Sequence, residues 1–159
     1  MSTTKKPCLL VVDDEPEIGA SVYALLRREY DVLRAQSAAE GQRLMQEHEV
    51  HIVMTDQRMP EVTGVELLAS VRVRHPRAVR LLFTGYADHE SLVAAINDGR
   101  VFRFLKKPWR PEELEAAVRA AAAEYHRIVA AAEELEHLRA RVTSLEQKVT
   151  ELERVLLRG

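Results

Sequence analysis

Short apolar segments alternate with segments of helical periodicity along most of the chain. Residues 8–13, Cys-Leu-Leu-Val-Val-Asp, form an apolar run that ends in acids, which is typical of a strand buried on both faces. Pro16 then suits the first turn of a helix. That helix is continued at spacings of three and four by Ile18, Val22, Leu25 and Leu26.

The same alternation repeats to residue 111. The pattern predicts strands at 31–35, 50–55, 79–84 and 101–105, and helices at 38–47, 65–74, 90–97 and from Pro111 onward. Repeated strand-then-helix units favour a parallel sheet with right-handed crossovers. The fold class is therefore α/β, with a five-stranded, doubly wound parallel sheet.

The last helix is unusually long. From Pro111 to about Leu157 the chain contains no Gly and no further Pro. Such a helix spans roughly 70 Å at 1.5 Å per residue. It is too long to pack entirely on a domain of this size, so we expect its C-terminal half to project.

Apolar residues in that half follow a heptad repeat. The a positions are Ile128, Leu135, Val142, Val149 and Leu156, and the d positions are Ala131, Leu138, Leu145 and Leu152. β-Branched residues at several a positions with Leu at most d positions favour a parallel, two-stranded coiled coil.

The a and d positions together form the seam of the coiled coil, and the charges beside this seam agree with a parallel homodimer. Each g residue meets the e residue five positions further on in the partner helix. These pairs are Glu134–Arg139, Arg141–Glu146 and Lys148–Glu153, all of opposite sign. The alternative is a single amphipathic helix lying on another surface.

Composition narrows the class of protein. The chain has 159 residues, 47% hydrophobic and 30% charged, enough for one domain with a core plus an extension. A net charge of −2 argues against a generally basic nucleic-acid binder, and the single cysteine, Cys8, excludes an internal disulfide or a cysteine-cluster zinc site. The apolar runs are too short to cross a membrane, and Met1 to Pro7 lack the apolar stretch of a secretory signal, so we do not expect one. We expect a cytoplasmic protein.

Chemically active side chains follow the predicted strands. Asp13 and Asp14 end the first strand, Asp56 ends the third, Thr84 ends the fourth, and Lys107 follows the fifth. Because the carboxyl ends of parallel strands meet at one edge, these groups should share a crevice. Three carboxylates repel unless a cation lies among them, and oxygen ligands favour Mg²⁺. A hydroxyl and an ammonium beside that ion suit a phosphoryl group.

These motifs together resemble the receiver domain of bacterial two-component response regulators, over residues 8–120. The matching segments are Leu-Val-Val-Asp13-Asp14-Glu-Pro, Met-Thr-Asp56-Gln-Arg-Met-Pro60, Thr63-Gly64, Phe-Thr84-Gly and Phe-Leu-Lys-Lys107-Pro108-Trp. The resemblance implies a flavodoxin-like (CheY-like) fold with strand order 2-1-3-4-5. We expect a receiver domain over 1–122 and a coiled-coil dimerisation and signal-transmission helix over 123–159.

The resemblance also implies the roles of the acids. Asp56 would accept a phosphoryl group from the phosphohistidine of a sensor histidine kinase or phosphotransfer protein. Asp14 and Asp56 would bind Mg²⁺ directly, together with the backbone carbonyl of Arg58, and Asp13 would act through a metal-bound water. Taken singly, Asp13 and Asp14 after a strand more often form a turn and a helix cap than a metal site.

Further roles follow from the same resemblance. Thr84 would donate to a phosphoryl oxygen and move toward it on activation, and Lys107 would pair with the phosphoryl charge. The Lys107–Pro108 bond would be cis. Phe104 occupies the position of the family's rotating aromatic switch, with a plain core aromatic as the alternative.

Two positions are specific to this chain. Arg58 and Tyr86 lie two residues beyond Asp56 and Thr84, where they could shield an acyl phosphate from water, or could simply face solvent. Four segments also resemble a subgroup whose receivers often head hydrogenase-type transcriptional regulators or HD-GYP cyclic-di-GMP phosphodiesterases. They are Asp-Gln-Arg-Met-Pro, Thr-Gly-Tyr-Ala-Asp, Ala-Ile-Asn-Asp-Gly-Arg and Lys-Pro-Trp.

Four classes of function fit these motifs to different degrees. A phosphoacceptor switch that passes its state to a dimeric coil fits every motif. A DNA-binding leucine zipper is rejected, because residues 112–134 carry only Arg119 and Arg127 where a basic helix is needed. A hydrolase that forms an aspartyl phosphate would need an acid where Arg58 stands. An oligomerising scaffold, whose receiver makes protein contacts without being phosphorylated, remains the alternative.

We expect no effector domain within the chain after the coil, so that either an output domain has been cut off or the coil itself is the output. We expect the chain to be a fragment that would pass its state to a downstream output domain, which could itself be enzymatic. The receiver part is expected to be a signalling domain and not an enzyme, and we expect no membrane partner.

Overall fold

The computed structural model describes residues 5–85 and 89–159, with only the backbone described at 89–91. Its elements are β1 (Cys8–Val12), α1 (Pro16–Leu26), β2 (Asp31–Ala35), α2 (Ala38–Glu47), β3 (Ile52–Asp56), α3 (Gly64–Arg74), β4 (Val79–Thr84), α4 (His89–Asn97), β5 (Arg103–Lys106) and α5 (Pro111–Arg158). The five strands form one parallel sheet in the order β2-β1-β3-β4-β5. The predicted fold class and strand order are confirmed.

β3 and β5 begin two residues later than predicted, and the ends of β1, β3 and β5 each differ from the predicted ones by one residue. Val50 and Val101 are buried, but each lies in the segment that leads into its strand. Val101 N–H donates to Ala95 O, at the end of α4, and so closes that helix instead of pairing with β4. An apolar residue in the sequence indicates a buried position. At the start of both strands, the buried residues begin before the strand pairing does.

The core lies on both faces of the central strands. β1 and β3 are buried along almost their whole length, because helices cover both faces of a doubly wound sheet. Among the largest fully buried side chains are Phe83, Leu9, Leu10, Ile52, Met54 and Leu67. A sheet packed in this way holds the ends of its strands in fixed positions, which is what a site at that edge requires.

The start of α3 is capped by its own sequence. The Thr63 hydroxyl accepts from Glu66 N–H at 3.2 Å, and the Glu66 carboxylate accepts from Thr63 N–H at 3.3 Å. This reciprocal capping box fixes where the helix begins. It thereby limits the loop between β3 and α3 to residues 57–63.

The chain divides into two compact units, Met1–Tyr125 and His126–Gly159. In the first unit, α5 buries Leu114, Val118 and Ala121. In the second unit the helix is largely exposed along its length. Among the described helices, none carries an apolar stretch of the length that crossing a bilayer demands.

Candidate phosphoryl-accepting site

The chemically active side chains meet at the carboxyl edge of the sheet. Asp13 directly follows β1, Asp56 and Thr84 are the last residues of β3 and β4, and Lys107 directly follows β5. Asp13, Asp56 and Thr84 are 2%, 7% and 4% exposed, so three polar side chains are buried beside the partly exposed ammonium of Lys107. Burial of this kind is costly unless the groups are paired or bind an ion.

The three acids form one cluster. One carboxylate oxygen from each of Asp13, Asp14 and Asp56 lies within 4.8 Å of the other two. Asp13 and Asp56 are buried, whereas Asp14 is exposed. Glu15 N–H donates to Asp13 Oδ1 at 2.9 Å, which leaves the other oxygen of Asp13 for the cluster. The cluster therefore has a buried floor and one acid at its solvent side.

Lys107 is the cation of the cluster. Its Nζ lies 2.8 Å from Asp13 Oδ2 and 3.3 Å from Asp56 Oδ1. Lys107 N–H donates to Thr84 O at 2.8 Å, so β4 sets the backbone position of the lysine. Burial alone lowers the pKa of the ammonium, but the hydrogen bond and charge of Asp13, together with Asp56, outweigh burial and raise it. Lys107 is held in its charged form.

The surroundings of Asp56 destabilise the ionised form of its carboxyl group. Burial raises the pKa of its carboxyl, and the charge of Asp13 raises it further. The ammonium of Lys107 and the Gln57 N–H lower the same pKa, without cancelling those effects. One ammonium faces three carboxylates, so the cluster fits a second cation. An all-oxygen donor set with an exposed side suits Mg²⁺, which binds through few protein ligands and keeps several waters.

The loop after Asp56 approaches the site closely. A Cβ on Gly64 would lie 2.2 Å from Asp56 O and 2.8 Å from Leu82 Cδ1, so only glycine fits there. Gly64 N–H donates to Gln57 O, and Val65 N–H donates to Gln57 Oε1, each at 3.0 Å. Gln57 was not among the predicted site residues, because the segment Met-Thr-Asp56-Gln-Arg-Met-Pro60 that contains it gave it no role. Its position directly after the candidate acceptor was the available clue.

The remaining candidate residues lie as follows. Arg58 is exposed, and Tyr86 lies outside the described residues. Phe104, on β5, is 48% exposed, which excludes the alternative of a plain core aromatic. The Lys107–Pro108 bond is cis, as the resemblance implied. The adjacent Lys106 is an exposed residue of β5 and does not join the cluster.

An apolar cavity opens beside Lys107. Its volume is about 560 Å³. It is lined by Ile18, Ser21, Gly85, Lys107, Pro108 and Trp109. The Trp109 ring meets Phe83 edge-on at 5.3 Å, and the Lys107 Nζ lies 5.1 Å from the Phe83 ring centre.

Comparison with known proteins agrees with this geometry. Residues 9–119 match the family model described as the response regulator receiver domain. Over 117 residues, 74% of this chain and 24% of the relative, the sequence is 39% identical to the hydrogenase transcriptional regulatory protein HoxA of Cupriavidus necator. The chain spans about a quarter of the length of the first curated relatives it matches.

Solved structures show the same fold. One is described as adenylate cyclase from Rhodopirellula baltica, with a TM-score of 0.80, 28% identity, and coverage of 83% of this chain and 98% of that one. Another is the signal receiver domain of an HD domain-containing protein from Pseudomonas fluorescens, with a TM-score of 0.74, 32% identity, and coverage of 80% and 94%.

Proposed function

Since this chain belongs to the response regulator receiver family, we propose that it is a phosphoacceptor switch in which Asp56 receives the phosphoryl group. Receiver domains are signalling domains that act with histidine kinases or phosphotransfer proteins. The observation that carries the proposal is the grouping of Asp13, Asp14 and Asp56 around the Lys107 ammonium. Asp56 is the member of this cluster that lies on β3 and contacts the ammonium.

The proposed step is a displacement at phosphorus. A carboxylate oxygen of Asp56 attacks the phosphorus of a phosphohistidine, and the bond between phosphorus and the imidazole nitrogen breaks. The electron pair of that bond stays on the nitrogen, which is protonated as the histidine leaves. Asp56 then carries an acyl phosphate. Only ionised Asp56 can attack, and the Lys107 charge favours that form.

Asp14, Asp56 and the Arg58 carbonyl would hold Mg²⁺ directly, with Asp13 acting through a metal-bound water. When bound, this ion supplies the positive charge that the three acids lack. The chain's own residues then orient the phosphoryl group. Lys107 would exchange Asp13 for a phosphoryl oxygen, and the buried Thr84 hydroxyl would donate to another oxygen.

The proposed output begins at two places. Thr84 would shift toward the phosphoryl group, and half-exposed Phe104 on the neighbouring strand would turn inward. Thr84 pairs with Lys106 in the register of β4 and β5, and Phe104 lies two residues before Lys106. A charge added at Asp56 would thus bias a two-state element at this edge of the sheet.

We also propose that the helix beyond residue 123 forms a parallel homodimer. Seven seam residues of the heptad repeat are between 48% and 78% exposed in one chain: Leu135, Leu138, Val142, Leu145, Val149, Leu152 and Leu156. A second copy that covers this stripe removes apolar surface from water. We propose that the dimer relays the state of the receivers to an output domain, the role suggested by the much longer relatives.

The alternative function is an oligomerising scaffold whose receiver only makes protein contacts. Labelling with acetyl phosphate separates the two. The phosphoacceptor proposal expects a mass increase of one phosphoryl group, in the presence of Mg²⁺ only. Asp56→Asn should abolish the increase, while Asp31→Asn, at an exposed acid that begins β2, should leave it unchanged. No labelling of the unmodified protein would favour the scaffold, whereas labelling that persists in the Asp56→Asn variant would show that Asp56 is not the acceptor.

A further inference from the structure

The residue after the proposed phosphoacceptor closes the loop between β3 and α3 with both its backbone and its side chain. Gln57 N–H donates to Phe83 O at 3.1 Å, which ties the residue to β4. Gln57 O accepts from Gly64 N–H, and Gln57 Oε1 accepts from Val65 N–H, each at 3.0 Å. The first residue after β3 is therefore bonded to the first two residues of α3.

These bonds complete the capping of α3. The first N–H groups of a helix have no partner within the helix. The Thr63 hydroxyl accepts a hydrogen bond from the N–H of Glu66. The N–H of Gly64 donates to the backbone oxygen of Gln57, and the N–H of Val65 donates to its side-chain oxygen. The side-chain amide is thus the acceptor for a donor that the capping box leaves over.

The closed loop contains a proposed metal ligand. Arg58, whose carbonyl would face Mg²⁺, directly follows Gln57. The same loop holds Glu61 at a φ of +70°, a conformation that L side chains rarely adopt, and a tight turn from Val62 N–H to Pro60 O at 2.8 Å. A loop with such a backbone stays in one conformation only when its ends are fixed.

We propose that Gln57 is a positioning residue for Mg²⁺ binding: its side-chain amide latches the loop to the start of α3 and so presets the Arg58 carbonyl toward the acids. The proposal rests on the proposed function. Gln57 does not bind the ion; it acts through the Val65 N–H and the loop. Fixing a ligand in advance spares the entropy of ordering it on binding, and residues that support metal ligands commonly change affinity by about 10–100-fold.

The test is a Mg²⁺ titration followed by Trp109 fluorescence and by calorimetry. Trp109 is a suitable probe, because it is the chain's single tryptophan and contacts Phe83 beside Lys107. Gln57→Leu keeps the size of the side chain and removes the acceptor, so the dissociation constant for Mg²⁺ should rise about 10-fold. Gln46→Leu, at an exposed position of α2, is the matched control and should bind as the unmodified protein does.

Amide exchange provides the second readout. In Gln57→Leu the amides of residues 64–66 should exchange faster, while Gln57→Glu, which keeps an acceptor oxygen, should restore protection at Val65. If the Leu variant does not fold, Gln57→Asn serves instead, since its shorter side chain keeps the amide but cannot reach Val65. The Asn variant is expected to weaken Mg²⁺ binding in the same direction.

The outcomes separate this inference from the function it rests on. A lower melting temperature with an unchanged Mg²⁺ dissociation constant would make Gln57 merely structural and overturn the inference. If the unmodified protein binds Mg²⁺, loses binding in Asp56→Asn and keeps it in Gln57→Leu, only the inference fails. If the unmodified protein binds no Mg²⁺, the proposed function fails with it.

Discussion

Lys107 Nζ donates a hydrogen bond to Asp13 Oδ2 at 2.8 Å, a shorter distance than the 3.3 Å to the proposed phosphoacceptor Asp56. The ammonium is thus bonded most closely to an acid that is not the acceptor. Asp13 has a fully buried side chain, and the bond compensates for its burial. In the proposed function, a phosphoryl group on Asp56 would have to compete with Asp13 for this cation.

Replacing Lys107 should show how strongly the two buried acids depend on its charge. Lys107→Met leaves two buried acids without their cation, and we expect the free energy of unfolding at neutral pH to fall by about 1–3 kcal/mol without Mg²⁺. Added Mg²⁺ should recover much of the loss, because it supplies charge to the same acids. Urea unfolding with and without Mg²⁺ measures both effects. Lys106→Met, at the exposed neighbour, is the control, and equal losses in the two variants would contradict the assignment.

Asp56 should make the metal-free protein less stable as pH rises. Its folded-state pKa lies above the ordinary value of 3.8, so the folded state binds the proton more tightly than the unfolded state. Stability therefore falls as pH increases from 3.8 through the raised pKa, and the loss persists at higher pH. Asp56→Asn removes this penalty. Without Mg²⁺ the variant should melt at a higher temperature than the unmodified protein near neutral pH.

The advantage of the Asp56→Asn variant should shrink as pH falls toward the ordinary carboxyl pKa, where Asp56 becomes protonated in both states. Added Mg²⁺ should stabilise the unmodified protein more than the Asn variant. Thermal melts from mildly acidic to mildly basic pH test this, with Asp31→Asn as the exposed control. An Asn variant that is less stable than the unmodified protein at neutral pH would show that Asp56 is not under strain.

The alternation of apolar and helical segments was sufficient to predict the sheet. Strands over 31–35 and 79–84 were located to the residue. The start of β5 was placed two residues early, since Val101 is buried by closing α4 and not by pairing. Hydrophobic pattern identifies the buried residues, while pairing depends on contacts distant in the sequence.

For the site, as for the sheet, the sequence was sufficient to predict which residues come together but not their individual contacts. The carboxyl-end rule for parallel strands brings together Asp13, Asp56 and Lys107 without knowledge of any loop. The preference of Lys107 for Asp13 and the latch made by Gln57 depend on side-chain conformations and on the path of one loop. No spacing in the sequence encodes these details.

The close approach of Gly64 to Asp56 gives a third prediction. Gly64→Ala would place a Cβ 2.2 Å from a backbone oxygen of the proposed acceptor, so the loop or β3 must shift. We expect a loss of about 1–3 kcal/mol in the free energy of unfolding, together with weaker Mg²⁺ binding. Gly85→Ala is the matched control, because its Cβ would meet nothing within 4 Å. Denaturant unfolding should show no comparable loss in the control.

The charges beside the coiled-coil seam give the last prediction. In a parallel dimer Lys148 lies at a g position opposite Glu153 of the second copy, whereas Arg154 lies at an f position, away from the seam. Lys148→Glu and Arg154→Glu change the net charge equally. Only the first places like charges across the interface, so it should weaken the dimer, most clearly at low salt. Sedimentation equilibrium at several salt concentrations measures the difference.

Two further variants decide between the dimer and a helix that lies on another surface. Lys148→Glu combined with Glu153→Lys restores opposite charges and should restore the dimer, because each copy again offers one charge of each sign at this pair. Replacing Leu138 and Leu145 by serine removes apolar area from the centre of the seam and should yield a monomer whose Asp56 is still phosphorylated. A single-chain mass for the unmodified protein at micromolar concentration would refute the coiled coil. Equal weakening by Lys148→Glu and Arg154→Glu would refute the parallel register instead, since net charge alone would then account for the effect.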